Sequence, residues 1–469
     1  MKYIKKIVCL ICAVALVLSA FAVTASAQNY AGSVTLNCDV DLLMSLDDGS
    51  VIISKNADKQ VAPASLTKIM TALVVLRNKP NLEENVTVAE EAITSLQGTG
   101  SSISGLKAGE TMSIYNMLCC LLIPSGNDAA VAIAYAVGGS QENFVKMMND
   151  TAAELGCKNT HFDNPHGLDS ATHKTTANDL AIMAKAALEY PAFETIVSNS
   201  SYNLPATNMQ GERKLINTNF LLNPAYVTYY YKYCKGVKTG STDDAGKCLV
   251  SVASKDGYNY LAVAMGGDYR DSDKDNIEEN QAFMDSLRMY KWAFSSLSYE
   301  AVSKEGQFVV SAPVKNCWST DSVRLVAMSE VLALVPTGNS SQSVRFVPVD
   351  LPETLEAPLK KGDYICDAKI MYAEQEIGTV KLAAAEDVRF SVLLYLKDAM
   401  ARMAATTIFK IIIVLIVVVV ALYIGAFLFV NYRRRKKREL KIVKYNELER
   451  NTARNKNKSK NKNRNKNRK

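Results

Sequence analysis

Apolar and polar residues alternate with two different periodicities along the first two thirds of the chain. The stretches "SVIISKN" (50–56) and "CLVSVASKDGYNYLAVAMGG" (248–267) are typical of strands, and the second predicts a hairpin that turns at Asp256-Gly257. Between them, helical spacing of apolar residues predicts helices over 65–77, 114–123, 128–137, 141–155 and 178–188. Strands at both ends with helices between them predict an α+β domain over residues 28–296, in which helices flank a mostly antiparallel sheet.

A different pattern begins near residue 297 and continues to residue 388. Short segments rich in β-branched residues are separated there by Pro, Gly, Asn or Ser: "QFVVSAPV", "SVRLVAMS", "SVRFVPVD", "YICDAKIMYA" and "IGTVKLAAAE". Such spacing predicts a small all-β sandwich domain over 297–388. Residues 389–410 have a helical pattern and predict a juxtamembrane linker.

Residues 411–430 form a run of 20 positions without a charged residue. As a helix this run is about 30 Å long, which is enough to cross the hydrocarbon layer of a membrane. Six consecutive basic residues follow at 433–438, and such clusters stay on the cytoplasmic side. We therefore predict a single-pass cell-membrane protein whose body lies outside the cell. Its basic tail, 431–469, is predicted to be disordered and to lie at the inner leaflet.

The N-terminus predicts export by the secretory route. Three lysines at positions 2, 5 and 6 precede an apolar run, and Ala25-Ser26-Ala27 then supplies the small residues that signal peptidase requires. We expect residues 1–27 to be the signal peptide.

Positive charge is concentrated at the two ends of the chain. The formal net charge is +7, but residues 433–469 contain 18 Lys/Arg against 3 Asp/Glu, and the first 27 residues contribute +3. The remaining body therefore carries a net charge of −11. An acidic body gives no basis for nucleic-acid binding, and no nucleic-acid partner is expected.

Eight of the ten cysteines lie after the predicted signal peptide, and none of them belongs to a C-x-x-C pair. This excludes the usual ligand spacing of a zinc site, so neither a metal nor a cofactor is predicted. Export permits disulfides, and Cys317 with Cys366 is the pairing to test.

The stretch "PASLTKIM" (63–70) contains a lysine three positions after a serine. A serine hydroxyl is a weak nucleophile near neutral pH and needs a base. Lysine can be that base where burial or a neighbouring cation lowers its pKa, and positions i and i+3 share one face of a helix. Pro63 predicts that Ser65 lies in the first helical turn, where free N–H groups can stabilise an oxyanion. A Ser-His-Asp arrangement is unsupported, since no G-x-S-x-G elbow is present.

Two further stretches make the Ser65/Lys68 pair a more specific signal of a catalytic site. "IPSGNDAA" places Ser125-Gly126-Asn127 after an apolar helix, and "KGVKTGSTDDAG" places Lys238-Thr239-Gly240 before a strand-rich segment. Ser-x-x-Lys and Ser-x-Asn recur elsewhere in the chain, whereas Lys-Thr-Gly occurs once. The three motifs in this order, 60 and then 113 residues apart, are far more specific than any one of them.

With these motifs the chain resembles the D-alanyl-D-alanine carboxypeptidases of the low-molecular-weight penicillin-binding protein family. The resemblance runs from about residue 31 to 388 and includes "PASLTKIMTALVV", "PSGNDAA", "NPHGLD", "NTNFLL", "GVKTGSTDDAGKCLVS" and "APLKKGD". It implies a penicillin-recognising serine-transferase fold followed by a β-sandwich. It also implies that the enzyme removes the terminal D-alanine from peptidoglycan stem peptides ending in D-Ala-D-Ala, and that β-lactams inhibit it.

The resemblance also implies roles for individual residues. Ser65 would be the nucleophile and Lys68 its base. Ser125 would pass a proton to the leaving D-alanine, and Asn127 would hold Lys68 and the substrate amide.

The third motif would bind the substrate. Lys238 would lower the pKa of Lys68 and attract the terminal carboxylate, which Thr239 would hydrogen-bond. Gly240 would let the peptide lie along the strand edge, and the backbone N–H groups of Ser65 and Ser241 would form the oxyanion hole. Arg270 is a further candidate for carboxylate binding, whereas His166 is expected to shape its loop.

Several alternatives share these residues or this location. A D,D-endopeptidase that cuts peptidoglycan cross-links would use the same motifs. A β-lactamase would need a glutamate to activate water, and "HFDNPHGLDS" shows no obvious counterpart. A penicillin-sensing receptor would need a cytoplasmic signalling domain, and a tail of lysine and asparagine is a poor candidate. A non-catalytic wall-binding protein is disfavoured by the intact motifs.

Overall fold

The computed structural model of the chain describes residues 34–271, 277–337, 344–372 and 375–464. The predicted signal peptide lies outside these residues. Contacts within the chain define two units. The first contains the described residues up to Val310 together with Arg324–Leu351 and Gly362–Ala385, and the second contains Ser311–Val323, Pro352–Lys361 and the residues from Glu386 onwards.

The first unit begins with eleven strands and eight helices among the described residues. The strands are β1 (Val40–Ser45), β2 (Val51–Lys55), β3 (Asn85–Thr87), β4 (Thr111–Ser113), β5 (Ser201–Leu204), β6 (Arg213–Ile216), β7 (Cys234–Thr242), β8 (Gly246–Lys255), β9 (Tyr258–Gly267), β10 (Tyr269–Arg270) and β11 (Glu279–Asn280). The α-helices are α1 (Thr67–Asn78), α2 (Glu91–Thr94), α3 (Ile114–Leu122), α4 (Asn127–Gly138), α5 (Gln141–Glu154), α6 (Ala177–Leu188), α7 (Pro191–Ser198) and α8 (Gln281–Ser296).

A five-stranded antiparallel sheet organises this part of the unit, in the order β2-β1-β9-β8-β7. The β8–β9 hairpin turns at Asp256 and Gly257, whose φ angles of 52° and 87° match the turns that suit twisted hairpins. The predicted hairpin is therefore confirmed. β7, which carries the Lys-Thr-Gly motif, is the last strand of the sheet, so its outer edge is available for an extended peptide.

The five predicted helices are present, with ends within two residues of the predicted positions. Ser140 caps α5 by accepting from the N–H of Asn143, as expected. α1 is buried over its whole first ten residues, which makes it the central helix of the core. The α+β class, with helices flanking an antiparallel sheet, is confirmed.

The start of α1 differs from the prediction. Ser65 lies in a short 3₁₀ turn, Ala64–Leu66, and α1 begins only at Thr67. Ala64 has a left-handed φ of 48°, which a right-handed helix cannot include. The nucleophile candidate is therefore placed on a tight turn in front of the helix, and not in its first turn.

The segment that follows α8 consists of strands. They are β12 (Leu297–Ser303), β13 (Phe308–Lys315), β14 (Ser322–Ala327), β15 (Val331–Pro336), β16 (Val344–Val349), β17 (Leu355–Glu356), β18 (Tyr364–Tyr372) and β19 (Gln375–Ala384). In the first unit β12 pairs with β15, while β18 lies between β16 and β19, and β19 also pairs with β14. In the second unit β13 and β17 pair in parallel. The predicted all-β character is confirmed, and the sequence did not predict β12, β15 or β17.

Two helices end the described chain, α9 (Val392–Ala405) and α10 (Thr407–Arg464). Thr406 separates them because its extended backbone, with ψ of 142°, interrupts the helix. Among the described residues, α10 is the one helix long and apolar enough to cross a membrane. It continues to Arg464, whereas the sequence predicts disorder from residue 431. The Lys, Arg and Glu residues after the apolar run are good helix formers, so helical hydrogen bonding extends from that run into the tail.

The eight cysteines of the described chain are buried and free. Cys317 and Cys366, the pair proposed for a disulfide, are therefore separate thiols in this structure.

Candidate active site

The first two motifs meet at the amino group of Lys68, which also contacts the backbone of His166. Its Nζ lies 2.9 Å from Oγ of Ser65, 2.6 Å from Oδ1 of Asn127 and 2.8 Å from the backbone oxygen of His166. The 3₁₀ turn carries Ser65, the first turn of α1 carries Lys68, and Asn127 is the first residue of α4. Segments far apart in sequence thus surround a single nitrogen.

An uncharged lysine amine can also form all three of these contacts. A neutral lysine has two N–H donors and one lone pair. The two N–H groups can donate to Asn127 Oδ1 and to the His166 carbonyl, which leaves the lone pair to accept the Ser65 hydroxyl proton. This arrangement is the one that a general base for Ser65 requires.

Burial favours that uncharged form. Lys68 is fully buried, and its pKa lies well below the ordinary value because of desolvation first and the charge of Lys238 second; Asp128 opposes the shift. Lys238 is also fully buried, and burial lowers its pKa to about 7. Burial, followed by the charge of Lys68, lowers the pKa of His166 to about 3, so its ring is neutral.

Ser125 lies two residues before Asn127 in a constrained loop. It is 4% exposed and has a left-handed φ of 65°. A Cβ on the next residue, Gly126, would lie only 2.8 Å from the Cys120 carbonyl oxygen and 2.7 Å from a carboxylate oxygen of Asp128. Glycine is therefore required at position 126, because a side chain there would collide with these atoms.

Asp128 fixes the loop that covers this motif. Its carboxylate accepts hydrogen bonds from N and Oγ of Ser104 at 2.8 Å each and from N of Leu106 at 3.0 Å. The Asn127 N–H donates to the Ser102 carbonyl at 2.8 Å. Asp128 belongs to the stretch "PSGNDAA", but its position in the sequence predicted no role for it.

The Lys-Thr-Gly strand lies directly against the turn that carries Ser65. A Cβ on Gly240 would be 3.2 Å from Ala64 Cβ and 3.2 Å from the Pro63 carbonyl oxygen, so the absent side chain permits this approach. Lys238 Nζ donates to the Thr239 carbonyl at 3.0 Å.

Two contacts on β7 were not expected from the sequence. The hydroxyl groups of Thr239 and Thr218 are 2.5 Å apart. Lys247, which is paired with Ser241 across β7 and β8, donates from Nζ to Ser241 Oγ at 2.9 Å. Thr218 lies in the quoted stretch "NTNFLL", and Lys247 follows the third motif, but neither had a spacing that predicted its position.

Arg270 and His166 have ordinary surroundings. Arg270 is exposed and forms an ion pair with Asp268 at 2.9 Å, so its charge is already compensated. The His166 ring accepts from the N–H of Leu168 at 3.2 Å, which agrees with a role in shaping the loop. In the same loop, a Cβ on Gly167 would fall 1.8 Å from the Ala64 carbonyl oxygen.

Among the described residues, one group of metal-ligand type has its ligand atoms within 4.8 Å of one another: Cys38, Asp41 and Asp285, here called the buried-acid cluster. Arg288 pairs with Asp285 at 2.7 Å and Lys55 with Asp41 at 3.5 Å. Because both carboxylates already face a cation, we assign no metal to this cluster.

Comparison with known proteins places these features in a family. Residues 23–269 match the family model described as D-alanyl-D-alanine carboxypeptidase, and residues 298–389 match that of the penicillin-binding protein 5 C-terminal domain. The D-alanyl-D-alanine carboxypeptidase DacF of Bacillus subtilis is 32% identical over 352 residues, which cover 74% of this chain and 85% of that protein. DacC of Escherichia coli is 30% identical over 69% of this chain and 77% of its own length.

Solved structures give the same result. Penicillin-binding protein 5 of Haemophilus influenzae aligns with a TM-score of 0.55 and 27% identity, covering 76% of this chain and 98% of that one. A Francisella tularensis structure titled as the carboxypeptidase DacD aligns with a TM-score of 0.61 at 24% identity, over 78% of this chain and 96% of that one, and supports the fold.

Proposed function

Because this chain belongs to the D-alanyl-D-alanine carboxypeptidase family, we propose that Ser65 is the nucleophile with which it hydrolyses D-Ala-D-Ala ends. The protein is a serine-type D-Ala-D-Ala carboxypeptidase that binds penicillin. The observation that carries the assignment of Ser65 is its contact with a buried lysine whose other hydrogen bonds leave a lone pair free for the hydroxyl proton.

In the proposed acylation, Lys68 takes the proton of Ser65 as Oγ bonds to the carbonyl carbon between the two D-alanines. The backbone N–H groups of Ser65 and Ser241 stabilise the oxyanion. The C–N bond then breaks, Ser125 protonates the leaving D-alanine nitrogen, and Lys68 returns a proton to Ser125. Water hydrolyses the acyl-enzyme ester, with Lys68 again as the base. Asn127 holds the amine in place throughout.

Substrate binding is proposed along the free edge of β7. The stem peptide would add to this strand as an extended segment, and Gly240 leaves room for it beside the Ser65 turn. The hydroxyl of Thr239 and the positive charge of Lys238 would hold the terminal carboxylate. A β-lactam would occupy the same groove and acylate Ser65.

We propose that the apolar run at 411–430 crosses the cell membrane with residues 433–438 on the cytoplasmic side. The length and composition of α10 support this orientation, together with the basic cluster that follows its apolar part. The catalytic residues would then act outside the cell, after a signal peptide at 1–27 has directed export. The basic tail would contact anionic lipid of the inner leaflet.

The test uses the full chain in detergent with a peptide that ends in D-Ala-D-Ala. Wild-type protein should release D-alanine and bind labelled penicillin covalently, and Ser65→Ala should abolish both. The matched control is Ser459→Ala, which alters the second Ser-x-x-Lys in the chain, at Ser459 and Lys462. Loss of both signals in the control as well, or retention of either in Ser65→Ala, would reject Ser65 as the nucleophile.

A further inference from the structure

Four aromatic side chains of the first unit are in ring contact, and Tyr269 is connected to them through the β10–β11 pair. These five are here called the aromatic strip: Phe220, Tyr226, Tyr229, Tyr269 and Phe283. The ring of Phe220 stacks on Tyr226, with centroids 3.9 Å apart and planes 12° apart. Phe220 also contacts Phe283 at 5.5 Å, and Phe283 contacts Tyr229 at 5.0 Å. Tyr269 pairs with Asn280 across β10 and β11, and the N–H of Asn280 donates to the Tyr229 hydroxyl at 2.9 Å.

The strip is joined to the active site at two places. Phe220 follows Thr218 by two residues, and the Thr218 hydroxyl hydrogen-bonds that of Thr239. At the other end, the ammonium of Lys247 lies 5.0 Å from the ring centroid of Tyr269 and donates to Ser241. The strip is therefore continuous with the groove proposed for the stem peptide.

Part of the strip is exposed although its members support one another. Tyr226 is 38% exposed and Tyr269 is 51% exposed, while Phe283 is buried in a core cluster. The stacked ring of Phe220 holds that of Tyr226 in a fixed orientation. Rigid rings that carry a hydroxyl offer an apolar face and a hydrogen-bonding edge at little entropic cost, which is the usual composition of a binding surface.

We propose that the aromatic strip binds the amino-sugar strand to which the stem peptide is attached. This inference rests on the proposed function, because it assumes that a stem peptide occupies the β7 groove. A pyranose ring presents a flat C–H face that stacks on an aromatic ring and a rim of hydroxyl and amide groups that bond to tyrosine. The strand is uncharged where its lactyl carboxyl is amidated by the peptide, so an uncharged aromatic surface suits it better than a basic one would.

The test compares two substrates that differ only in the sugar. One is the stem pentapeptide alone, and the other is the same pentapeptide attached to its disaccharide. With the full chain in detergent, Tyr226→Ala should lower kcat/KM for the disaccharide substrate about three- to tenfold through a higher KM, and leave the free pentapeptide unchanged. Tyr226→Phe, which retains the ring, should restore most of the loss.

Tyr364→Ala is the matched control. Tyr364 on β18 is 53% exposed and, like Tyr269, lies under a lysine ammonium, 5.8 Å from that of Lys381, but it is not part of the strip. It should behave as wild type on both substrates. The peptide-free disaccharide should also inhibit wild type competitively and inhibit Tyr226→Ala more weakly.

Each other result rejects the aromatic strip as a glycan site. Equal losses on both substrates would mean that Tyr226 supports the groove structurally. No loss on either would mean that another molecule, such as a second stem peptide or a protein, covers the strip. Failure of the wild-type chain to release D-alanine from the free pentapeptide would instead reject the proposed function, and the inference with it.

Discussion

The first unit contains two groups of buried charged side chains that are stabilised in opposite ways. Lys68 and Lys238 are fully buried, and within the described chain their ammonium nitrogens contact only neutral oxygens. In the buried-acid cluster, by contrast, Asp285 accepts from the backbone N–H groups of Asn37 and Cys38 and from Arg288. A poorly compensated buried charge shifts its pKa toward the neutral form, as in Lys68 and Asp41, whereas hydrogen bonds and an ion pair compensate the burial of Asp285.

This difference separates a reactive group from a supporting one. In the described chain no carboxylate forms an ion pair with Lys68, although the charge of Asp128 acts on it, and the amine is left able to accept a proton. The hydrogen bonds of Asp285 connect the residues just before β1 to α8, and they occupy its carboxylate. Substitutions of Lys68 or Lys238 should therefore mainly change activity, and substitutions in the buried-acid cluster should mainly change stability.

The largest effect is expected from Lys68→Arg. Arginine keeps the positive charge but cannot lose its proton in a protein. We expect kcat/KM for D-alanine release to fall at least about 10³-fold, or ~4 kcal/mol, with covalent penicillin binding reduced in parallel. Lys59→Arg, at a lysine whose side chain is 53% exposed, should have no effect. Retention of a tenth of the activity would mean that Lys68 does not act as the base.

Asp285→Ala should instead reduce stability. It removes the acceptor of two backbone N–H groups and leaves Arg288 without this partner, a change that costs about 3 kcal/mol in comparable buried networks. Thermal unfolding should shift to lower temperature, while molecules that remain folded keep their kcat. Asp150→Ala, at a helical side chain that is 56% exposed, is the control. A loss of kcat without a loss of stability would contradict the division between the two groups.

Lys238→Gln should produce an intermediate effect on activity. The charge of Lys238 lowers the pKa of Lys68, so its removal raises that pKa and reduces the uncharged fraction at any given pH. The acid limb of the kcat/KM profile should move to higher pH, and activity at pH 7 should fall about ten- to a hundredfold, or ~1.4–2.7 kcal/mol. Lys235→Gln changes an exposed lysine on the same strand and should leave the profile unchanged. An unmoved acid limb would contradict the coupling.

The smallest effect on activity is expected from Asp41→Asn. Both carboxylate oxygens of Asp41 are buried without a hydrogen bond, and burial followed by the charge of Asp285 raises its pKa from 3.8 to about 8. The native state therefore holds this proton more tightly than the unfolded chain does, and its contribution to stability is lost as pH rises from about 4 to 8. Asparagine cannot ionise, so the stability of the variant relative to wild type should be greater at pH 8.5 than at pH 5. Thermal unfolding should be measured at both pH values, with Asp256→Asn as the control. An equal difference in stability between variant and wild type at pH 5 and at pH 8.5 would contradict the raised pKa of Asp41.

Much of the fold could be predicted because it depends on local patterns. The helical spacing before and after Gly138-Gly139-Ser140 and the turn residues Asp256-Gly257 act within a few positions, and both are present as expected. The left-handed φ of Ala64 could not be predicted, because it follows from the packing of Gly167 and Gly240 against that turn. Pro63 alone gave the plausible but wrong interpretation that Ser65 begins a helix.

The motifs predicted which residues gather at the site but not how they are linked. Ser65, Lys68 and Asn127 are in contact, and their roles stay proposals until the variants are measured. The carbonyl of His166, the hydroxyl of Thr218 and the ammonium of Lys247 reach the site from distant segments. A backbone carbonyl carries no residue-type signal, so the His166 contact could not be inferred from the sequence.

Gly167 and Gly240, which pack against Ala64, restrict how this enzyme could become resistant to penicillin. A Cβ at position 167 would collide with the Ala64 carbonyl, and one at position 240 would be crowded against Ala64 and Pro63. Larger residues there would disturb the turn that presents the Ser65 hydroxyl to the cell-wall peptide and to the drug alike. Resistance that preserves wall trimming would have to arise from residues that the drug touches and the natural peptide does not. Few substitutions in the turn itself would therefore be tolerated.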